Sequence, residues 1–473
     1  MKKYLADNDY LIILCLGIIV FFQMSWVPGF FHDGYLYAAF GKNAAEKGFW
    51  LVPHLNENTY SNFYHHTSFV FILEGIFFKV FGSSYTSARI FAGLFSLTTG
   101  CLLFRLLKKS HLKKISYLAM LIFFLIPPLI KKSRFPNIDL PLMLFMFLSL
   151  TFYWKAFSSS NWKNWLLCGF FFGLSALTKG PMAAWIPMII IVHLLATSKF
   201  KRLKDLKPWL GLTMGLLVFS LWPLSLYLSN NFEIFLEWYK FTFVQAIIEG
   251  RGASTPWYVY IVFLLKNVNI IFIFSLFGVY FSFKEKNGLS FFSTIIFFVI
   301  VVTLSTRGLK YSNYLIPLYP FLALLAANGI SKLWKNSEVK IVNFSKYLIP
   351  ITALVLLIFP ITNESGRDRE LIEAKEILTN MDIKPKKWIN FYGCYPFWSI
   401  QNLNSYDDGS ITVNQNKLYE YNINKDTIFL IHGTDVPEVE KQFSNQLKKV
   451  IYMKKRNIYL YISKEVKTNL ITL

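Results

Sequence analysis

The chain contains few charged residues and few cysteines. Of its 473 residues, 16% are charged and four are cysteine. Cys15, Cys101 and Cys168 stand within apolar runs and Cys394 stands alone, so their spacing indicates neither a disulfide framework nor a zinc knuckle. A glycine-rich phosphate loop between a strand and a helix, an internal repeat and a low-complexity tract are absent too. These absences argue against a nucleotide-binding fold of that kind, a repeat protein and a disulfide-stabilised domain.

Acidic residues are scarce relative to basic ones. The chain has 49 Lys and Arg against 27 Asp and Glu, a formal net charge of +22. Such an excess suits a protein that neutralises nucleic-acid phosphates, but here the basic residues collect in short loops between apolar runs. That distribution is the orientation signal of an inserted membrane protein, with the basic loops in the cytoplasm. We therefore expect no nucleic-acid partner.

Long apolar runs dominate the first three quarters of the chain. Hydrophobic residues make up 54% of the total, and a membrane span needs about 20 mostly apolar residues because backbone groups in hydrocarbon must bond within their own helix. About eleven runs approach this length, which predicts an α-helical polytopic membrane protein. The runs cover residues 10–27, 86–106, 115–130, 140–157, 162–177, 182–196, 208–228, 257–281, 289–304, 311–330 and 347–360.

The number of spans depends on two segments near the N-terminus. Lys2 and Lys3 precede the first run, which continues without a small-residue cleavage site, so we expect an uncleaved anchor. Residues 67–81 are apolar but short and carry Glu74 and Lys79, and a charge at the bilayer centre costs about 2.5–3.5 kcal/mol. This segment is expected to be a helix in the outer interface, or a hairpin of two short helices that would give about thirteen spans.

With the basic loops inside, polar residues of both signs gather in the outer loops. The pattern over residues 34–47 favours an amphipathic helix on the outer leaflet, with an aspartate at or beside its N-cap. The two aspartates could serve only as helix caps, the histidines only as interfacial polar residues, and the cations only as headgroup contacts. The candidate site residues are Asp33, His65, His66, Arg134, Asp139, Lys179, Arg251 and Lys310.

The composition becomes polar after residue 360. We predict a transmembrane domain over residues 1–360, with its first outer loop at residues 28–85, and a small soluble α/β domain over residues 361–473. The second domain is extracytoplasmic if the number of spans is odd. Its helical patterns cover residues 369–381 and 436–448, and its strand-like runs cover residues 388–392, 427–431 and 458–462.

Several short motifs follow one another between residue 1 and about residue 330. They are Asp33 after the first span, Gly48-Phe49-Trp50-Leu51-Val52-Pro53-His54-Leu55-Asn56, Phe81-Gly82 to Ala88-Arg89, Arg134 with Asp139-Leu140-Pro141, Leu177-Thr178-Lys179-Gly180-Pro181, Pro256-Trp257-Tyr258, and Lys310-Tyr311-Ser312-Asn313-Tyr314-Leu315-Ile316-Pro317. In this order they resemble the GT-C class of membrane glycosyltransferases. They resemble in particular the bacterial branch that contains the lipid A aminoarabinose transferase and, more distantly, the dolichyl-phosphate-mannose-protein mannosyltransferase family.

The resemblance implies transfer of a hexosyl or pentosyl group from a polyprenyl-phosphate donor at the outer face of the bacterial inner membrane. The family's catalytic base corresponds to Asp33, and Asp139 is expected to support it. A hydroxyl acceptor needs a carboxylate within hydrogen-bond reach, and the phosphate leaving group needs fixed cations, for which Lys179, Arg251, Lys310 and Arg134 are the candidates. A single displacement would invert the sugar. The acceptor would be a hydroxyl or phosphate group of a lipid A-like glycolipid, an envelope glycan or a protein.

The chain departs from the family pattern at residues 60–67. Where the aminoarabinose transferases have Tyr-Phe-Glu-Lys-Pro-Pro, this chain has Tyr60-Ser61-Asn62-Phe63-Tyr64-His65-His66-Thr67. The glutamate proposed to help hold a metal is Asn62 here. A divalent metal ion therefore stays open as a cofactor, with His65 or His66 and Asp33 as ligands.

Other classes of membrane protein share the polytopic pattern. A transporter or lipid flippase would place ionisable residues near the bilayer midplane, often in repeated halves, whereas here they lie at span ends on one face. A membrane scaffold gives no reason for carboxylates and cations to converge. A transferase of whole oligosaccharides remains an alternative among enzymes.

Overall fold

The computed structural model describes most of the chain. The described residues are 2–27, 29–30, 32–55, 61–110, 112–159, 161–248, 255–285, 288–308, 310–334, 338–361, 369–381, 387–391, 410–413, 427–454, 457–465 and 471–472. The chain divides into two compact units, one of residues 1–25, 64–70 and 89–362 and one of residues 26–63, 71–88 and 363–473. The first unit contains most of the predicted spans, and the second contains the region after residue 362.

Helices account for nearly all regular structure before residue 362. They are α1 (Lys2–Phe22), α2 (His32–Lys47), α3 (Phe69–Phe81), α4 (Tyr85–Lys108), α5 (Ser116–Phe124), α6 (Pro127–Lys132), α7 (Asp139–Ser159), α8 (Trp162–Lys179), α9 (Trp185–Ala196), α10 (Leu206–Leu228), α11 (Phe232–Tyr239), α12 (Val259–Asn267), α13 (Ile270–Ser282), α14 (Leu289–Ser305), α15 (Tyr319–Leu333) and α16 (Glu338–Ile358). Short 3₁₀ helices occupy Lys113–Ile115, Gly180–Ala184, Phe200–Lys204 and Ser312–Leu318, and a π-helix occupies Lys240–Ile248.

Several of these helices are long and apolar enough to cross a membrane. Within the described residues they are Tyr85–Lys108, Asp139–Ser159, Trp162–Ala196 (α8 and α9 with the 3₁₀ turn between them), Leu206–Leu228, Ser312–Leu333 (a 3₁₀ helix and α15) and Lys340–Ile358. The pair α12 and α13, bent by 117° at its break, adds a seventh if counted as one span, and Asp9–Phe22 and Leu289–Ser305 are shorter apolar helices. The chain is therefore a multi-pass membrane protein, as predicted, while the count of eleven to thirteen spans stays a prediction.

One of the predicted runs has a different local structure, and two other segments decide between arrangements considered from the sequence. Residues 115–130 do not form one helix: Pro127 lacks an N–H and holds Ile126 in an extended conformation with ψ 113°, so α5 ends and α6 begins there. Residues 162–177 and 182–196 form two helices, as predicted: Tyr153 contacts both Trp165 near the start of α8 and His193 near the end of α9, at 5.6 Å each, so the chain reverses between them. The two-helix hairpin considered for residues 67–81 is wrong, because α3 is a single helix about 20 Å long.

The centre of the first unit is built from α7 and α15. In these two candidate spans 78% and 89% of the apolar window is buried, against 28% in α10 and 17% in α16. Gly278 of α13 lies so close to α15 that a Cβ there would be 1.9 Å from the carbonyl oxygen of Leu325. Such close approach of helix backbones is the usual way in which membrane helices gain packing energy. Because α10 and α16 are mostly unburied, their apolar sides face outward as a lipid-facing surface.

The two helices at the ends of the first unit lie side by side and run in the same direction. Asp9 of α1 pairs with Lys346 of α16 at 3.3 Å. Gln23, the first residue after α1, donates from its amide to the carbonyl of Leu356 at 2.9 Å. The early parts and the late parts of α1 and α16 therefore match, which makes the two helices parallel.

The C-terminal region forms a mixed sheet with a helix on each face. Its described strands are β1 (Lys387–Phe391), β2 (Ser410–Val413), β3 (Thr427–His432), β4 (Leu447–Met453), β5 (Ile458–Ser463) and β6 (Ile471–Thr472), in the order β2-β1-β3-β5-β4-β6. β1 pairs in parallel with β2 and β3, β5 is antiparallel to β3 and β4, and β6 is parallel to β4. Helix α17 (Arg369–Asn380) packs on one apolar face and α18 (Val436–Phe443) on the other. The predicted α/β domain is confirmed.

One element of this domain was predicted wrongly. The helical pattern over residues 436–448 holds only as far as Phe443, and Leu447–Met453 is strand β4. The β-branched pair Val450 and Ile451 in that segment favours a strand. Strands β2 and β6 have no counterpart in the prediction.

Candidate functional site

Helix α8 is interrupted at Lys179. The backbone leaves helical geometry at Lys179 (φ −147°, ψ 35°) and at Gly180 (φ 46°, ψ −111°). In a continued helix the carbonyl of Leu177 would accept from residue 181, but Pro181 has no N–H to donate. The hydroxyl of Thr67 donates to that carbonyl instead. The Lys-Gly-Pro sequence thus produces a stable break, and Lys179 stands where the chain turns from α8 toward α9, at the junction of two helices as predicted.

Gly180 is required at this break for two reasons. Its positive φ is unfavourable for residues with a side chain. In addition, a Cβ at Gly180 would lie 2.6 Å from the ring of Trp238 on α11. The indole therefore packs directly against the backbone beside Lys179 and closes this side of the break.

A buried polar cluster forms around the ammonium group of Lys179. Asp139 accepts a hydrogen bond from Lys179 on Oδ1 and one from the Nδ2 of Asn313, at 2.8 Å, on Oδ2. The side chains of Lys179 and Asp139 are 12% and 5% exposed, and the Nζ of Lys179 lies 4.8 Å from the centre of the Tyr314 ring. A buried ion pair is tolerated only when its remaining hydrogen-bonding capacity is satisfied, and Asn313 supplies that for the carboxylate.

Asp139 does not act as a helix cap, although it begins α7. The capping oxygen is the Oδ1 of Asn137, which accepts from the backbone N–H groups of Asp139 and Leu140 at 3.1 Å each. The carboxylate of Asp139 is thereby released to hold Lys179. Both oxygens of the carboxylate already accept hydrogen bonds. The geometry therefore suits a role in positioning Lys179 more than a role as proton acceptor.

Lys310 is a second buried cation close to this cluster in sequence. It is 7% exposed, and its Nζ donates to the carbonyl of Thr255 at 2.8 Å and to the carbonyl of Arg307. The hydroxyl of Thr255 is 3.3 Å away. Among the described residues no carboxylate pairs with Lys310, so neutral oxygens alone balance its charge.

One short segment connects the two cations. Residues 310–314 carry Lys310 at one end and, at the other, Asn313 and Tyr314, which contact the Asp139–Lys179 pair. Three residues of backbone span at most about 11 Å. The structure therefore brings Asp139, Lys179 and Lys310 into one region of the first unit.

Arg134 has a different environment from the other predicted cations. Its guanidinium donates to the carbonyl of Val20 at 2.9 Å and to the carbonyl of Ile361 at 2.7 Å. These groups lie at the C-terminal end of α1 and just beyond α16, where helix carbonyls lack partners. Burial lowers the pKa of Arg134 to about 10, which leaves the guanidinium charged at neutral pH. The hydrogen bonds of Arg134 described here hold backbone groups, and its predicted phosphate contact stays a prediction.

Asp33 lies in the second unit. It is exposed and stands in the first turn of α2, so the predicted helix exists but begins at His32 rather than after the aspartate. An anionic side chain is favourable at a helix N-terminus. Because Asp139 belongs to the other unit, the predicted proximity of the two aspartates stays a prediction.

The two histidines do not gather with other metal ligands in the described residues. The ring of His65 stacks on Phe241 of the π-helix, with 4.0 Å between centroids and 6° between planes. His66 is half-buried. Within the described ranges no group of three or more His, Cys, Asp or Glu side chains could hold a metal ion. The predicted metal site therefore stays a prediction.

Arg251 lies outside the described residues, directly after the π-helix Lys240–Ile248. A π-helix of this length is rare, and such segments occur often at functional sites. It carries Phe241 and follows Trp238, which contact His65 and Gly180 respectively. His65 and Thr67, which lie in the stretch that departs from the family pattern, therefore pack near the break that holds Lys179.

Sequence reasoning missed three contributors to the cluster: Asn313, Thr67 and Trp238. Asn313 lay within a quoted motif, but its role depends on a contact across 174 positions of sequence. Thr67 could have been suspected, since Pro181 must leave a helix carbonyl unpaired. Nothing in the local sequence indicates that Trp238 covers Gly180.

Comparison with known proteins supports one class of function. Residues 65–223 match the family model of dolichyl-phosphate-mannose-protein mannosyltransferases. An uncharacterised protein of Aquifex aeolicus is 27% identical over 363 residues, which are 75% of this chain and 68% of that protein. The undecaprenyl phosphate-alpha-4-amino-4-deoxy-L-arabinose arabinosyl transferase of Wigglesworthia glossinidia brevipalpis is 24% identical over 353 residues. That match covers 72% of this chain but only 60% of the relative's length.

A solved structure has the same fold over nearly the whole chain. The crystal structure of ArnT from Cupriavidus metallidurans bound to undecaprenyl phosphate aligns with a TM-score of 0.71 and 12% identity, covering 99% of this chain and 100% of the other. The predicted GT-C architecture is confirmed. The family model, the relatives and the fold together also confirm the prediction of a membrane glycosyltransferase similar to the aminoarabinose transferases, and they favour it over a transporter or flippase.

Proposed function

Starting from this relationship, we propose that the protein transfers a sugar from a polyprenyl-phosphate donor to a hydroxyl or phosphate acceptor at the outer face of the bacterial inner membrane. The observation that carries the proposal is the pair of buried ammonium groups on Lys179 and Lys310. Tyr314 contacts the ammonium group of Lys179, Asn313 donates to the Asp139 carboxylate that holds it, and the same short segment begins with Lys310. Fixed cations in a water-poor pocket stabilise a phosphate leaving group strongly, because they need no reorganisation as its charge develops.

The reaction is a single displacement. For a hydroxyl acceptor, Asp33 takes the proton as the acceptor oxygen forms its bond to the anomeric carbon. The bond from that carbon to the phosphate oxygen breaks, and polyprenyl phosphate leaves with the electron pair, so the sugar configuration inverts. Lys179 and Lys310 bind the departing phosphate. Asp139 acts by holding Lys179 in place, and a phosphate acceptor would need no base.

The parallel arrangement of α1 and α16 supports the proposed sidedness. If both helices cross the bilayer in the same direction, the number of spans is odd, and the chain after residue 361 lies on the face opposite the N-terminus. With basic loops in the cytoplasm, the C-terminal α/β domain and the site are then extracytoplasmic. The acceptor is a lipid A-like glycolipid, an envelope glycan or a protein, and the segment of residues 62–66 contributes to the choice.

The test compares the native protein with Asp33→Asn in a strain that lacks the gene. Mass spectrometry of the envelope glycolipids and glycans identifies the product that disappears with the gene. The native protein should restore it, and Asp33→Asn should not, because an amide cannot accept the proton. Full restoration by Asp33→Asn would overturn the mechanism.

Donor binding is measured separately, by native mass spectrometry of the purified full chain with undecaprenyl phosphate. Asp33→Asn should bind as the native protein does. Lys179→Gln should bind roughly ten- to a hundredfold more weakly, since a charged hydrogen bond contributes about 1.5–3 kcal/mol. Lys163→Gln, an exposed change near the other end of α8, is the matched control and should be neutral. Equal binding by Lys179→Gln and Lys163→Gln would remove Lys179 from the donor site.

A further inference from the structure

An apolar cavity of about 130 Å³ lies among α8, α9 and α10, away from the Asp139–Lys179 cluster. Its walls include Trp165 and Phe172 of α8, Ile190 of α9 and Trp209 of α10, and Leu203 of the short 3₁₀ helix borders it. Aromatic and aliphatic side chains make up nearly all of this lining. Such a cavity suits a hydrocarbon chain and not a sugar or a phosphate.

The cavity is a built feature of the helix packing. Gly169 and Gly211, which also line it, bring α8 and α10 so close that a Cβ on Gly169 would be 1.8 Å from the carbonyl oxygen of Gly211. This close contact fixes the two helices that form opposite parts of the cavity wall. The indole N–H of Trp209 donates to the carbonyl of Leu203 at 2.8 Å, which ties one wall to the border of the cavity.

The border of the cavity is strongly basic. Residues 199–207 contain Lys199, Lys201, Arg202, Lys204 and Lys207 and only one acidic residue, Asp205. Lys199 and Arg202 anchor this segment, since both lie over the ring of Phe157, at 4.4 and 4.9 Å, and Arg202 also donates to the Phe157 carbonyl at 2.6 Å. Lys201 and Lys204 are exposed on either side of the anchored Arg202 and the cavity-lining Leu203.

The apolar residues next to these lysines are exposed, as expected of a segment at a membrane surface. Phe200, Leu206 and Trp209 are 48%, 69% and 50% exposed. Exposed aromatic and aliphatic side chains next to lysines are typical of the boundary between acyl chains and headgroups. Lys201 and Lys204 are therefore at headgroup level while the cavity opens at acyl-chain level.

We infer that this cavity and the lysines bordering it form a binding site for an anionic phospholipid of the basic-loop leaflet. One acyl chain enters the cavity, and the headgroup phosphate binds Lys201 and Lys204. A zwitterionic lipid would gain the same apolar contacts but lose most of the attraction to the cations. This site does not depend on sugar transfer, and its failure would leave the proposed function unaffected.

The headgroup part is tested by native mass spectrometry of the full chain from mixed micelles of phosphatidylglycerol and phosphatidylcholine. The native protein should retain phosphatidylglycerol selectively. A lysine near an anionic membrane surface contributes about fivefold, or about 1 kcal/mol, so Lys201→Gln with Lys204→Gln should lower the selectivity about 25-fold at low salt. The matched control, Lys284→Gln with Lys340→Gln, removes two exposed charges from other basic loops and should change nothing. Equal selectivity in both double variants would overturn the inference.

The chain part is tested by filling the cavity. Ile190→Trp should abolish retention of phosphatidylglycerol with the lysines intact, provided that its melting temperature in detergent shows a folded protein. A folded Ile190→Trp that retains the lipid normally would contradict entry of the chain. Undecaprenyl phosphate serves as competitor: if it displaces phosphatidylglycerol from the native protein but not from the Lys201→Gln, Lys204→Gln variant, the occupant is a polyprenyl lipid and the assignment is wrong.

Discussion

Glu74 is a carboxyl group that the fold removes from water. It is 1% exposed in α3, its Oε1 has no hydrogen-bond partner among the described residues, and a Cβ on Gly41 of α2 would lie 2.8 Å from its Cγ. Burial raises the pKa of Glu74 well above the ordinary value of 4.5. The neutral acid therefore suits its site in the packing of α2, the helix that carries Asp33, while the carboxylate does not.

A pH dependence of stability follows from this raised pKa. The stability that the neutral Glu74 adds to the fold is fully present below about pH 4.5, the pKa of this group in the unfolded chain. This stability is lost as the pH rises through the higher pKa of the folded state. The melting temperature of the native protein in detergent should fall over that interval. Glu74→Gln should remove this part of the fall and be more stable than the native protein at the alkaline end. The control Glu46→Gln, an exposed change on α2, should keep the native profile; a native profile in Glu74→Gln would show that Glu74 does not titrate in this range.

At the scale of single residues, the sequence predicts charges better than it predicts their partners. Asp139, Lys179 and Lys310 could be selected because ionisable residues at the ends of apolar runs are unusual. The partners lie far away in sequence: Asn313 is 174 positions from Asp139, and Thr67 is 110 positions from Leu177. Local sequence carries no information about such pairs, so the division of roles between Asp139 and Lys179 emerges only from the fold.

At the scale of elements, the contact between α8 and α10 positions Lys179 at the end of α8. Gly169 and Gly173 face Gly211 and Gly215, and each Cβ that these glycines lack would meet a neighbour at 2.6 Å or less. At Gly169 the neighbour is a backbone carbonyl, which cannot rotate away as a side chain can. Gly169 therefore permits the close contact with α10 that determines the position of α8. The position of Lys179 at the end of α8 follows from it.

Gly169→Ala tests this contact. The added methyl forces α8 and α10 apart, and overpacking of this kind costs roughly 1–3 kcal/mol. We expect a lower melting temperature in detergent and weaker binding of undecaprenyl phosphate, because Lys179 moves with α8. Thr213→Ala, at an exposed position of α10, adds no clash and should leave both quantities unchanged. If Gly169→Ala behaves like Thr213→Ala, the close approach of these helices does not determine the position of Lys179.

Elements differ in how well their sequences define them. Apolar length identifies the helices of the first unit, because the need to bond every backbone group in hydrocarbon permits little else. The positions of their breaks are less clear: Pro127 ends one predicted run, whereas Pro223 and Pro350 lie inside continuous helices. In the soluble domain the same segment can be either a helix or a strand. At Leu447–Met453 a helical spacing of apolar residues continues into a segment that pairs as a strand.

At the scale of the whole molecule, the first unit is closed by contacts between its first and last helices. Asp9 pairs with Lys346 at 3.3 Å and with Lys108 of α4 at 2.7 Å. Toward the other end, Gln23 donates to the carbonyl of Leu356 and accepts at 3.2 Å from the N–H of Ile361. No sequence pattern could indicate this closure, since it joins positions more than 300 residues apart.

Arg134 completes the closure, because two of its hydrogen bonds hold Val20 at the end of α1 and Ile361 beyond α16. Arg134→Lys retains the charge but not the planar fork that reaches two carbonyls at once. It should lose one charged hydrogen bond, about 1.5–3 kcal/mol of stability, and melt at a lower temperature than the native protein. Undecaprenyl phosphate should bind its folded form with native affinity, and Lys131→Gln, which removes an exposed charge nearby, should be neutral in both measurements. The opposite result, native melting with weakened binding of undecaprenyl phosphate, would return Arg134 to the donor phosphate site, since a residue that only closes the bundle cannot change affinity without changing stability.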